Sequence, residues 1–129
     1  FNSTQIATIF LDSGLNIRKF TPPAKKYFNI RESDIGRPIN HYSYNFQYSN
    51  LGHVIHEVLE NLQPLEFEVE LKEEHFSIMR ILPYKTESRH IRGVVITFTD
   101  ITELKQREES LAEKSAARFA WSVTMKTWP

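Results

Sequence analysis

Gly93-Val-Val-Ile-Thr-Phe-Thr-Asp-Ile-Thr102 is the stretch on which the fold turns. Val94, Ile96 and Phe98 recur at a spacing of two, the period of a β-strand. Val95, on the opposite side of the pleat, is apolar too, so the strand needs cover on both faces and belongs inside a sheet. The alternation stops at Asp100, and Glu103 to Lys114 is polar, charged and rich in helix formers. A helix is expected to leave the sheet there. Asp100 can accept from the first backbone N–H groups of that helix while Glu103 reaches back, as in a capping box. Asp100, Ile101, Thr102 and Glu103 are therefore read as the joint between sheet and helix.

Working outward, Phe76 to Tyr84 pairs naturally with Ile91 to Thr99 as two strands carrying apolar residues on each face. Arg80 interrupts the row formed by Ile78 and Leu82; buried, it needs a partner such as Asp100 or a ligand anion, and outward-facing it needs none. Beyond Pro64, Leu65, Phe67, Val69 and Leu71 alternate with Glu66, Glu68, Glu70 and Lys72, the pattern of a half-exposed antiparallel strand. Leu51, Val54, Ile55, Val58, Leu59 and Leu62 fall at helical spacing, with Asn50 placed to cap the start.

Residues 29–50 hold neither period and predict loops and single helical turns. Thr21 before Pro22 and Pro23 predicts a hydroxyl-capped short helix to Phe28, anchored by Tyr27 and Phe28. Ile6 to Leu11 and Ile17 to Phe20, joined by Asp12-Ser-Gly-Leu-Asn16, read as an opening hairpin. The sum is an α+β domain: a five-stranded antiparallel sheet, short helices packed on one face and a C-terminal exit helix.

The chain has 129 residues, room for one core. With 16 basic and 16 acidic residues, no broad positive field exists to gather nucleic acid. Cysteine is absent, which excludes disulfides, a thiolate nucleophile and a flavin–cysteinyl adduct. No apolar run reaches membrane-spanning length and no leader pattern opens the chain, so a cytoplasmic location is expected. Phe1 in place of Met reads as a segment of a longer polypeptide.

Gly93 to Thr102, ending in Asp-Ile-Thr, resembles the last strand and output-helix start of PAS domains. Ile17-Arg-Lys-Phe-Thr-Pro-Pro-Ala24, Asp34-Ile-Gly-Arg-Pro38 and Met79-Arg-Ile-Leu-Pro-Tyr-Lys85 are similar to one PAS subfamily, found in fused chemotaxis methylesterase/methyltransferase proteins and some hybrid sensor kinases. The resemblance spans Ile6 to about Lys105. Thr86-Glu-Ser-Arg-His90 departs from it, lacking the Asp-Gly or Asn-Gly turn common there. It implies a PAS sensory domain over residues 1–103 and a signalling-helix linker over 104–129. Residues 116–129 match nothing in the family and read as vector-derived or as the edge of an adjoining segment.

The function so implied is regulatory and not enzymatic. A ligand or dimer-state signal would pass through the last strand to the exit helix and on to catalytic domains of the same polypeptide, a chemotaxis-type protein methyltransferase/methylesterase. The alternatives are a PAS module of a sensor histidine kinase or a small-ligand receptor with a noncovalent pocket. Apolar residues on both sheet faces suggest a homodimer through the sheet face and exit helix. Ile101, Leu104 and Leu111 could open a coiled-coil seam, which Glu108, Ser115 and Arg118 interrupt.

His41-Tyr-Ser-Tyr-Asn-Phe-Gln-Tyr48 is dense in aromatics. In a PAS-like fold Tyr42, Tyr44, Phe46, Tyr48 and Arg80 would form a pocket wall, and the rings equally suit a small core lacking long helices. The resemblance raises haem as a cofactor through a histidine on the helix. However, His53 and His56 lie roughly 170° and 130° from the centre of its apolar face, so both read as solvated. His56-Glu57-Val-Leu-Glu60 lacks the second histidine of a zinc-protease helix, and no metal site is expected. The cofactor is left open.

Overall fold

The computed structural model describes residues 6–41, 43–48, 50–85 and 92–112. Strands β1 (Ala7–Asp12) and β2 (Ile17–Phe20) form the opening hairpin. The Asp12 carboxylate closes its turn by accepting from the N–H groups of Gly14 (3.0 Å) and Asn16 (2.9 Å). Three short 3-10 turns follow at Pro22–Lys26, Glu32–Asp34 and Ile39–His41, then β3 (Phe46–Gln47), α1 (Leu51–Asn61), β4 (Leu65–Leu71), β5 (His75–Lys85) and β6 (Arg92–Asp100). A second helix, α2, is described over 102–112. Residues 86–91, Tyr42 and 113–129 lie outside the described residues, and with them the Thr86–His90 link and most of the expected linker.

The sheet runs β2-β1-β6-β5-β4-β3, every neighbouring pair antiparallel. It has six strands where five were expected. The sixth, β3, is two residues long, too short to show a period, and is defined by its pairing of Phe46 with Leu71 and Gln47 with Glu70.

The inner face is the core. Ile9 and Leu11 of β1, Val94, Ile96 and Phe98 of β6, Met79 and Ile81 of β5, and Val69 of β4 are all buried there. α1 packs on β5 and β6, burying Leu51, Val54, Ile55, Val58 and Leu59; each such side chain stabilises the fold by about 1.5–3 kcal/mol. His53 and His56 are exposed.

Two expected caps do not form. Thr21 makes no side-chain cap to the Pro22–Lys26 turn; its hydroxyl instead accepts from the Thr8 N–H at 2.9 Å, tying the turn to β1. Asn50 precedes α1 in the left-handed conformation (φ 61°), which takes its side chain out of capping position.

Candidate functional site

β6 is a central strand, flanked by β1 from Ala7 to Asp12 and by β5 from Ser77 to Lys85, and its last residue hands over to α2. The Asp100 carboxylate accepts from the Thr102 N–H at 2.8 Å. The Ile101 N–H donates to the Phe76 carbonyl at 2.9 Å, and the Thr102 hydroxyl accepts from the Phe76 N–H at 2.9 Å. Together they pin the first turn of α2 to the start of β5. Glu103 does not reach back: it pairs with Arg107 one turn on, at 2.7 Å. The capping box is therefore replaced by a two-residue turn at Asp100 plus a hydroxyl clamp on Phe76, because the helix begins two residues after Asp100.

Both sheet faces hold the joint. On one side the Lys26 ammonium meets Asp100 Oδ2 at 3.4 Å. On the other, Lys105 of α2 donates to Glu68 at 2.8 Å and lies 5.4 Å from the Phe76 ring centre. Partial burial pushes the Asp100 carboxyl up, but the Thr102 hydrogen bonds and the Lys26 charge together outweigh it and hold the group below the ordinary aspartate range. Glu68 chiefly raises Lys105.

Beneath the joint, Tyr27 stacks on Phe98 with ring centres 4.1 Å apart, and its hydroxyl shares a buried 2.8 Å hydrogen bond with Ser77, the register partner of Asp100. Phe28 packs edge-on to Phe98, Phe46 and Tyr44, and Tyr44 stacks on Phe46 at 4.6 Å. A backbone bridge joins Phe28 to Tyr44. One aromatic chain thus runs from Tyr44 through Phe28 and Phe98 to Tyr27, next to Lys26. Tyr44 also lines a cleft of about 240 Å³ with Ile39, Asn40, Asn50, Leu51, Gly52 and Ile55.

A family model described as PAS domain matches residues 1–102. The chain belongs to the PAS domain family. Over 101 residues it is 36% identical to the uncharacterized 104.1 kDa protein in the hypE 3' region of Rhodobacter capsulatus. That alignment takes in 78% of this chain, which spans only 10% of the relative's length. In fold it is similar to the PAS domain of histidine kinase ThkA, with a TM-score of 0.62 at 21% identity over 74% of this chain and all of the other. The PAS domain of a Colwellia psychrerythraea protein superposes with a TM-score of 0.51 at 17% identity, over 76% of this chain and 87% of that one. The family model carries the PAS assignment, and the two solved PAS domains agree with it in fold.

Within this PAS domain Tyr44, Phe46 and Tyr48 of the residues read as a pocket wall come together, and Arg80 stands apart from them. Phe46 is buried in the core, Tyr44 is half-buried between core and cleft, and Tyr48 packs on Phe67 with its backbone carbonyl accepting from the Tyr44 hydroxyl. Burial, then the Glu57 charge, push the Tyr48 phenol up. Arg80 stands on the outer face, paired to Glu66 at 2.7 Å, so neither Asp100 nor a core ligand is its partner. Tyr42 lies outside the described residues. Lys26 and Tyr27 belong to the joint; the sequence marked Tyr27 only as an anchor of its own short helix and Lys26 not at all, their partners Asp100 and Ser77 lying 74 and 50 residues away. Ser77 did leave a signal, as the polar residue in the inner row with Met79 and Ile81. Among the described residues no group of three His, Cys, Asp or Glu side chains is placed to hold a metal, and no helix is long and apolar enough to cross a membrane.

Proposed function

We propose that this PAS domain is the regulatory segment of a larger signalling polypeptide and passes a ligand or dimer-state signal through β6 into α2. The observation that supports this reading is the joint itself. The last strand is central, and Asp100 and Thr102 couple it directly to the helix while Lys26 and Lys105 hold the joint from opposite sides of the sheet. A small change in the strand then re-aims a helix several turns long, with chemistry left to domains elsewhere in the polypeptide. The 104.1 kDa size of the Rhodobacter capsulatus relative fits such a parent.

The parent is read as a chemotaxis-type protein methyltransferase/methylesterase on the stretches Ile17–Ala24, Asp34–Pro38 and Met79–Lys85. The fold likeness to the PAS domain of histidine kinase ThkA favours the second reading, a sensor histidine kinase. The input is a homodimer contact through the outer sheet face and α2, where Leu104 and Leu111 are exposed seven residues apart. The Tyr44 cleft favours a noncovalent small molecule as a further input.

Replacing Asp100 by Ala tests the joint. The loss of its bonds to Thr102 and Lys26 is expected to cost about 0.5–2 kcal/mol of helix stability, the scale of a lost helix-start hydrogen bond. The sheet should stay folded while α2 frays and the output of the full polypeptide changes. Because the folded Asp100 pKa is depressed, its contribution is present above the ordinary aspartate range and is lost as the pH falls below about 4 through the lower folded value. Unchanged helicity by circular dichroism together with unchanged output would overturn the reading.

A further inference from the structure

Beside the joint lies a second cleft, of about 460 Å³, lined by Lys26, Asn45, Leu71, Lys72, Glu73 and His75. It opens where the Pro22–Lys26 turn meets β3 and the β4–β5 connection, away from the Tyr44 cleft. Two ammonium groups and one carboxylate line it, and because Lys26 also carries Asp100 at 3.4 Å, the walls become positive once Lys26 turns from Asp100 to the cleft. Leu71 supplies an apolar wall, and the Asn45 amide is fixed by donating to the Lys26 carbonyl at 3.2 Å.

The rim is strained. Leu71 and His75 are register partners, so only Lys72, Glu73 and Glu74 connect β4 to β5. Glu73 (φ 63°, ψ 37°) and Glu74 (φ 58°) both sit in the left-handed region. Such hairpin positions ordinarily take Gly or Asn; here they carry charged side chains, and backbone held in sparsely populated conformations gathers at ligand sites.

We propose that this cleft binds a small anion, a carboxylate or a phosphate, and that the anion draws Lys26 away from Asp100. Lys26 is common to both: it lines the cleft and contacts Asp100 at 3.4 Å across a half-exposed pair, an arrangement weak enough for a competing anion to displace. Freed from Lys26, Asp100 holds the start of α2 less firmly. Occupancy of the cleft is thereby converted into a looser joint, and by reciprocity a loosened joint strengthens anion binding. The effect on the helix rests on the reading of the joint proposed above; the binding does not.

The test is an amide-resolved magnetic resonance titration of the full chain with sodium succinate and, separately, with inorganic phosphate, each against sodium chloride at matched ionic strength. Saturable shifts are expected at Asn45, Lys72 and His75 in the millimolar range, with the Thr102 amide moving in step because it donates to Asp100. Saturation by one anion and not the other identifies the headgroup and supports the proposal. Lys72→Gln should weaken binding about fivefold, and Asp100→Asn, which releases Lys26, should tighten it by about as much. Shifts that track ionic strength alone, or that ignore Lys72→Gln, overturn the site. Saturable binding that leaves Thr102 unmoved, or that weakens in Asp100→Asn, overturns the competition for Lys26.

Discussion

The two faces of β5 and β6 are built from alternate residues of the same strands and have opposite fates. Inward, Met79, Ile81, Val94, Ile96 and Phe98 have no solvent exposure at all. Outward, Ile78, Leu82, Val95 and Thr97 stay half-covered, and Arg80 is exposed and paired with Glu66. Leu82, Val95 and Phe10 stand side by side across three strands, with the Lys19 ammonium 4.5 Å from the Phe10 ring. The inner face is dry and closely packed, so changes there act on stability; the outer face is adaptable, so changes there act on contacts.

The largest effect should come from emptying the inner face. Phe98→Ala removes the ring on which Tyr27, Phe28 and Phe46 all rest, and is expected to lower stability by about 3–5 kcal/mol, read as a reduced denaturation midpoint. A midpoint near that of the unaltered chain would break the contrast between the faces. Gly93→Ala comes next, because an added Cβ would lie 2.1 Å from the Leu11 carbonyl oxygen and 2.6 Å from the Tyr84 ring. The backbone of β1 must move, at about 1–3 kcal/mol, the scale of an overpacked site. Thermal unfolding measures it, and an unaltered midpoint would show that this end of the sheet is looser than its contacts imply. Smallest is the outer pair: a double-mutant cycle on Arg80→Ala and Glu66→Ala should give a coupling of about 0.2–1 kcal/mol that shrinks with salt, both side chains being more than half exposed. A larger, salt-insensitive coupling would mean that the outer face is covered in solution.

What the sequence made legible follows its periods. The strands Leu65–Leu71 and Phe76–Tyr84, the apolar side of α1 and the change of period at Asp100 all rest on repeats long enough to read. β3 did not, because two residues carry no period and their partners lie far along the chain, Leu71 for Phe46 and Glu70 for Gln47. The caps predicted at Thr21 and Asn50 failed for a different reason: a side chain suited to a local bond took a distant partner, or its backbone turned left-handed. Within the joint, Asp100 and Thr102 were visible as a motif, whereas Lys26, Phe76 and Lys105 became their partners only through the register of the sheet and the path of α2.

Tyr84 crosses over the bare Gly93 to give its hydroxyl to the Leu11 carbonyl at 3.1 Å, clasping β5 to β1 above the strand between them. From Gly93 to Asp100 the strand runs about 23 Å, clasped by Tyr84 at one end and tied to the start of α2 at the other. On the signal route proposed above, a tilt too slight to disturb the core would arrive at α2 as displacement, in the manner of a lever arm.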